Sequence, residues 1–181
     1  MQAMRTTESG GQCIHLMIMM NIQKAMSCHK KGSIRYRRAK KLLNKSWQKF
    51  LNKRNDQYNK ETAYIVKNSS FIAVQNENIK SWIKNKHLSH AIQLNAPRKL
   101  LEKIEQKCQQ ENIKFLKVPK FYQSTQICNK CQKRNKKIKG LKNLGIRDWD
   151  CPHCHTHHDR DCNVAINILN KGLEIVGTTV Q

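Results

Sequence analysis

No apolar run in this sequence approaches the ~18 residues that a bilayer-spanning helix needs, so no membrane crossing is expected. The nearest approach, Cys13 to Ile22, is Met-rich and only about half that length. It also lacks the basic leader and small-residue cleavage site of a secretion signal. Residues 1–29 carry no clear periodicity, and a weakly structured N-terminal extension is expected there. Negative charge is the second shortage: 12 Asp and Glu face 35 Lys and Arg, for a net charge of +23. Such a surface repels itself until a polyanion neutralises it, which puts nucleic acid ahead of an anionic membrane as the expected partner. The missing leader also bears on the eight cysteines. A long basic chain without a secretion signal does not suggest an extracellular disulfide framework. A reducing, cytoplasmic (nucleoid-associated) setting and metal binding are expected instead. Cys13, Cys28, Cys108 and Cys162 are then free thiols.

Positive charge is concentrated early. Lys30, Lys31, Arg35, Arg37, Arg38, Lys40 and Lys41 lead into a segment where Ala39, Leu43, Trp47, Phe50, Leu51, Tyr58 and Ile65 recur near helical spacing. The remaining faces are Lys, Arg, Asn and Gln. They suit either a solvated face or one that meets phosphates, and the net charge favours the second. Asn68-Ser69-Ser70 ends this helix. Phe71 to Val74 reads as a short buried strand, residues 79–94 as a basic polar loop, and Asn95 as the N-cap of a helix with Pro97 near its first position. That helix is expected to reach about Glu111, with Leu100, Leu101, Ile104 and Cys108 on one side. Ile113 to Val118 reads as a second strand, stopped by Pro119. Strand, helix, strand is a βαβ unit with parallel strands. Two parallel strands need neighbours and cover on both faces, and nothing before Tyr36 reads as further strands. The pattern is that of the second half of an α/β domain.

The most informative stretch is 124–170. Cys128-x-x-Cys131 and Cys151-x-x-Cys154 have the spacing of a four-cysteine zinc site. Each knuckle offers two sulfurs from one tight turn, and two knuckles close a tetrahedron. The intervening segment has almost no apolar content, so metal binding and folding are expected to be one event. Such a site is closed and structural rather than catalytic. Lys130, Lys133, Arg134, Lys136, Lys137, Lys139 and Lys142 make the ribbon either a nucleic-acid contact or a solubilising loop. Behind the second knuckle, Asp159 and Asp161 flank Arg160 at a helix start, where carboxylates complement the helix dipole whatever else they do.

Three strings together are more specific: Ser124-Thr125-Gln126-x-Cys128-x-x-Cys131, Arg147-x-Trp149-x-Cys151-Pro152-x-Cys154 and His158-Asp159-Arg160-Asp161-x-Asn163-x-Ala165-x-Asn167-Ile168-Leu169. With weaker matches reaching back to the helix near Arg35, they resemble the C-terminal part of the TnpB (OrfB) family of transposon-encoded, transposase-annotated RNA-guided DNA endonucleases, which is related to type V CRISPR effectors. The resemblance implies an α/β, partial RuvC-like (RNase H-type) domain made of the long basic helix, the βαβ unit and the last helix, with an inserted four-cysteine zinc ribbon. Its parts are expected at 1–29 (extension), 30–123 (partial RuvC-like region), 124–160 (zinc ribbon) and 161–181 (last helix and tail).

In that family two Mg²⁺ ions are held by three carboxylates from separate elements, because hard cations need anionic oxygens. Asp161 matches the third carboxylate. The second, a Glu, falls on Gln75, which keeps the shape and loses the charge. The first has no counterpart, since no Asp precedes Asp56. Glu77, two residues beyond Gln75, is a remote substitute. The resemblance therefore implies a truncated, nuclease-impaired protein with structural Zn²⁺ on Cys128, Cys131, Cys151 and Cys154, and Mg²⁺ only if the site is completed. DNA and a guide RNA are the implied partners, together with a separately encoded N-terminal half. Lys30, Lys31, Arg35, Arg37, Arg38, Lys40, Lys41, Lys133, Arg134, Lys136, Lys137 and Arg160 are the expected nucleic-acid contacts. The alternative is a non-catalytic binding module or repressor derived from such a nuclease.

Overall fold

The computed structural model describes residues 9–85, 89–138 and 145–177, and the chain divides into two compact units, Met1–Glu61 and Thr62–Gln181. The first holds helix α1 (Ser9–Ser27) and most of α2 (Ile34–Lys67). Residues 9–27 are thus helical, against the expectation of a weakly structured extension, although no sequence periodicity marks them. The turn between the helices is set locally. Gly32 takes φ +85°, the Arg37 guanidinium donates to its carbonyl at 3.0 Å, and the Ser33 hydroxyl accepts from the Tyr36 amide at 3.2 Å as α2 begins.

At 1.5 Å per residue, the 34 residues of α2 make a rod of about 51 Å. Its most buried positions recur every fourth residue: Ser46, Phe50, Arg54 and Tyr58, and then Thr62 and Val66 past the unit boundary. The expected apolar stripe is therefore rotated. Trp47 is 38% exposed and meets Phe50 edge-on, with centroids 5.7 Å apart, while Ser46 and Arg54 are buried.

In the second unit, β1 (Phe71–Gln75) and β2 (Lys114–Val118) pair in parallel, with Phe71 opposite Lys114 and Gln75 opposite Val118. The connection runs through α3 (Ile79–Trp82), α4 (Ser89–Asn95) and α5 (Pro97–Gln110). Ile79–Trp82 and Ser89–Asn95 are thus helical where a basic polar loop was expected. Asn95 ends α4, and the cap position of α5 is Ala96, in the left-handed region at φ 38° and without a side-chain cap bond, while Pro97 sits in the first turn as expected.

Side chains alternate across the sheet. Ile72 and Phe115 pack with Val66, Ile104 and Cys108 on the α5 face. Phe71 and Ala73 face α6 (Arg160–Val176), where Gly172 gives the helix room to approach. A two-stranded parallel sheet is covered on both faces in this way, as such sheets require.

A second small sheet, β3 (Asp148–Asp150) antiparallel to β4 (His157–Asp159), carries the later knuckle and leads straight into α6. Among the described residues the molecule is mixed α/β with two small sheets. Among the described residues no helix is long and apolar enough to cross a membrane.

Candidate metal centre and the helix it leads into

The two Cys-x-x-Cys turns are built alike. The Cys128 carbonyl accepts from the Gln132 amide and the Cys151 carbonyl from the His155 amide, each at 2.9 Å. The Cys128 amide donates to Lys133 and the Cys151 amide to Thr156, each at 3.0 Å. Both turns close through a left-handed residue directly after the second cysteine, Gln132 at φ 57° and His155 at φ 55°. These backbone donors and acceptors orient two thiols per turn.

The result is four sulfurs within 4.8 Å of one another. Cys128 lies 3.6 Å from Cys154, and Cys131 lies 3.6 Å from Cys151. Metal–sulfur distances of about 2.3 Å in a tetrahedron place sulfurs about 3.8 Å apart, so the spacing fits a single ion of that kind. Cys128, Cys151, Ile138 and Trp149 form the ribbon's small core. Ile138 and Trp149, from between the knuckles, are thus gathered around the sulfurs.

Four thiols this close cannot all ionise without a cation. Burial pushes the Cys128 thiol up to about 12. The Thr156 hydroxyl, 3.3 Å from Cys154, draws that thiol down to about 6. The cluster holds one negative charge readily, and a bound cation must displace protons to gather the rest.

His158 is a neighbour the spacing did not indicate. It is buried, its Nε2 lies 3.1 Å from Cys128 Sγ, and its ring lies against Trp149, its cross-strand partner, with centroids 4.7 Å apart. Desolvation holds its pKa below the usual value near 6.5, and a neutral ring with its proton on Nε2 donates to the sulfur. N–H donors of this kind orient metal-bound ligands.

The ribbon is fastened to α6 by two buried asparagines. Asn163 donates to the Ile127 carbonyl at 2.8 Å and accepts from the Asn129 amide at 2.9 Å. Asn167, fully buried, donates to the Ser124 and Ile127 carbonyls at 2.9 and 2.7 Å. Asp159 caps the helix, accepting from the Cys162 amide at 2.7 Å, and that bond holds its carboxyl below the usual range. The sequence carried Asn163 and Asn167 only as parts of a string; their place on the inner ridge of α6 gives them work.

Residues 98–168 match the family model described as Cas12f1-like, TNB domain, a span running from α5 through both knuckles into α6. Over that span the chain is similar to the Cas12f1-like family. A curated relative from Streptomyces pristinaespiralis, named "Putative RNA-guided DNA endonuclease", is 26% identical over 151 residues, covering 83% of this chain and 36% of the relative. The chain thus spans about a third of that relative's length.

The other expected site residues do not converge. Asp161 is on the first turn of α6, its side chain 77% exposed, with the Arg147 guanidinium 3.3 Å away. Gln75 ends β1, and its amide is taken up: Ser124 Oγ donates to its Oε1 at 3.1 Å, and its Nε2 faces the Lys120 and Tyr122 carbonyls at 3.4 Å. Glu77 lies past the end of the strand, lining a cleft of about 550 Å³ with Gln75 and Asn76. Among the described residues the four cysteines are the only group of three or more potential ligands close enough to hold a metal.

Of the expected nucleic-acid contacts, Lys30, Lys31, Arg35, Arg37, Arg38, Lys40 and Lys41 are exposed in the first unit, and Lys133, Arg134, Lys136 and Lys137 in the second. Arg160 differs from these: it is buried, and its guanidinium donates to the Ile146 carbonyl at 3.3 Å. Lys139 and Lys142 lie outside the described residues.

Proposed function

We propose that this chain is a nucleic-acid-binding, TnpB-like protein whose own residues do not support DNA cleavage. The carrying observation is the pairing of an ordered four-cysteine centre, docked on α6, with an amide at position 75. The thiolate set and its spacing suit zinc, bound as a folding element and not as a reactant. In the family frame, 30–123 and 161–181 are the RuvC-like parts and 124–160 the zinc ribbon.

A nuclease centre would need carboxylates for hard divalent cations. Gln75 supplies a neutral amide already engaged by Ser124, and Asp161 stands with Arg147 for company. These residues do not fit a pair of Mg²⁺ ions, so no cleavage step is derived. What remains suits binding: a net charge of +23 with exposed Lys and Arg in both units. DNA and a guide RNA are the proposed partners, as the name of the Streptomyces relative suggests. A repressor-like role, binding a target without cutting it, is the second reading, and Gln75 favours it.

The test is direct. Purified, zinc-loaded protein is given Mg²⁺, co-purified or supplied RNA, and DNA. Binding that falls steeply with salt is expected, because neutralised phosphates release counterions. No cleavage is expected, and cleavage that Asp161→Ala abolishes would overturn the proposal.

A further inference from the structure

Phe121 is 87% exposed, more than any other large apolar side chain among the described residues. It lies in the link between β2 and the first knuckle, and that link is held. The Tyr122 amide donates to the Pro119 carbonyl at 3.1 Å and the Gln126 amide to the Gln123 carbonyl at 3.0 Å. From beneath, the Gln75 amide reaches the carbonyls on either side of Phe121, those of Lys120 and Tyr122, both at 3.4 Å. Ser124, 1% exposed, ties the other end of that amide. Val118 and Ser124 at the two ends of the link are thus buried and Tyr122 is half-buried, while the Phe121 ring stands out.

A bare phenyl ring on a fixed loop leaves favourable burial unused. The Lys120 ammonium stands 5.8 Å from the ring centroid, within cation–π range. Phe121 and Lys120 together offer a flat apolar face beside a positive charge, on a strongly basic protein. A nucleobase has the matching flat face, and its backbone carries the matching charge.

We infer that Phe121 is a stacking platform for an unpaired base of single-stranded nucleic acid, and that Gln75 is the positioning residue that holds the platform out. The inference rests on the nucleic-acid-binding reading above and names the form of the ligand. It also gives position 75 a reason to be an amide. An amide can donate to two carbonyls while accepting from Ser124, whereas a carboxylate would face those same carbonyls as an anion.

The experiment uses the full zinc-loaded chain and fluorescence anisotropy. The probes are labelled single-stranded DNA, single-stranded RNA, a blunt DNA duplex of the same length, and polyglutamate as an acidic competitor. Phe121→Ala should weaken single-strand binding on the order of tenfold and duplex binding hardly at all, while Phe121→Trp should retain it. The single strand that loses more, DNA or RNA, identifies the ligand. Gln75→Glu should weaken single-strand binding in the parent and have little further effect in the Phe121→Ala background. Phe121 is exposed, so these variants should fold. Equal or negligible losses on single strand and duplex would overturn the inference while wild-type, salt-sensitive binding upheld the broader reading. Wild-type protein that bound none of the nucleic acids would sink both, and polyglutamate displaced selectively by Phe121→Ala would point to an acidic peptide and overturn the inference alone.

Discussion

Replacing Asn167 by Asp would change one amide to a carboxylate of the same shape at the point where the ribbon meets α6. Asn167 is fully buried, and its Nδ2 donates to two carbonyls, Ser124 at 2.9 Å and Ile127 at 2.7 Å, while its Oδ1 has no partner. What this site uses is therefore the pair of N–H donors. Asp offers none when ionised, and sets an anion against both carbonyls. Two lost bonds account for about 2 kcal/mol, and the uncompensated buried charge should bring the total to about 4 kcal/mol or more. The Ile127 carbonyl keeps its bond from Asn163 at 2.8 Å, so the Ser124 carbonyl suffers more.

The penalty should depend on pH with a definite sign. Burial raises the new carboxyl's pKa, so protonation as pH falls restores one donor and removes the charge. The stability gap to wild type should shrink from pH 8 toward pH 6. Urea unfolding of the zinc-loaded pair at both values, followed by tryptophan emission and circular dichroism, measures it. A variant within about 0.5 kcal/mol of wild type, the range of an ordinary surface change, would refute the clamp. So would a gap that does not move with pH.

Three further outcomes are expected. Gly172→Ala would put a Cβ 2.7 Å from the Ala73 Cβ and 3.2 Å from the Phe71 ring; the overpacking cost, about 1–3 kcal/mol less a helix-propensity gain of about 1, should lower the melting temperature, and Ala73→Gly should partly restore it. Chelation, or Cys128→Ser with Cys131→Ser, should unfold the ribbon while the circular-dichroism signal of α2 persists, and metal analysis of the pure wild-type protein should return one zinc per chain. Because the folded state holds His158 below its usual pKa, the unfolded chain takes up that proton first as pH falls below about 6.5; stability should decline there, and less so in His158→Gln, as followed by thermal melts from pH 7.5 to 5.5.

Much of the fold was legible because it rests on local rules. The strand at 71–75, the helix after Pro97 and the strand ending at Val118 follow from apolar runs and turn residues, and their parallel pairing follows from the helix between them. Helix α1 was not legible: its apolar residues show no stripe, so nothing distinguished it from an unstructured tail. Asn95 failed as a cap because α4 claimed it first, which no local pattern announced. Arg160 looked like a phosphate contact since its charge is visible in the sequence, whereas its burial depends on where β3 and β4 lie.

The sequence by itself determined the four-cysteine cluster. Two Cys-x-x-Cys turns constrain four sulfurs through a few bonds each, and the chemistry of thiolates does the rest. It also determined the charge and the amide at position 75. Only the tertiary structure decided what surrounds these features. The His158 ring against Cys128, the asparagines clamping Ile127 and Ser124, and the Gln75 amide beneath Phe121 join residues about 30 to 49 positions apart. A hydrogen bond is set by distance and angle in space, and no spacing along the chain records those until the helix and the two sheets are packed.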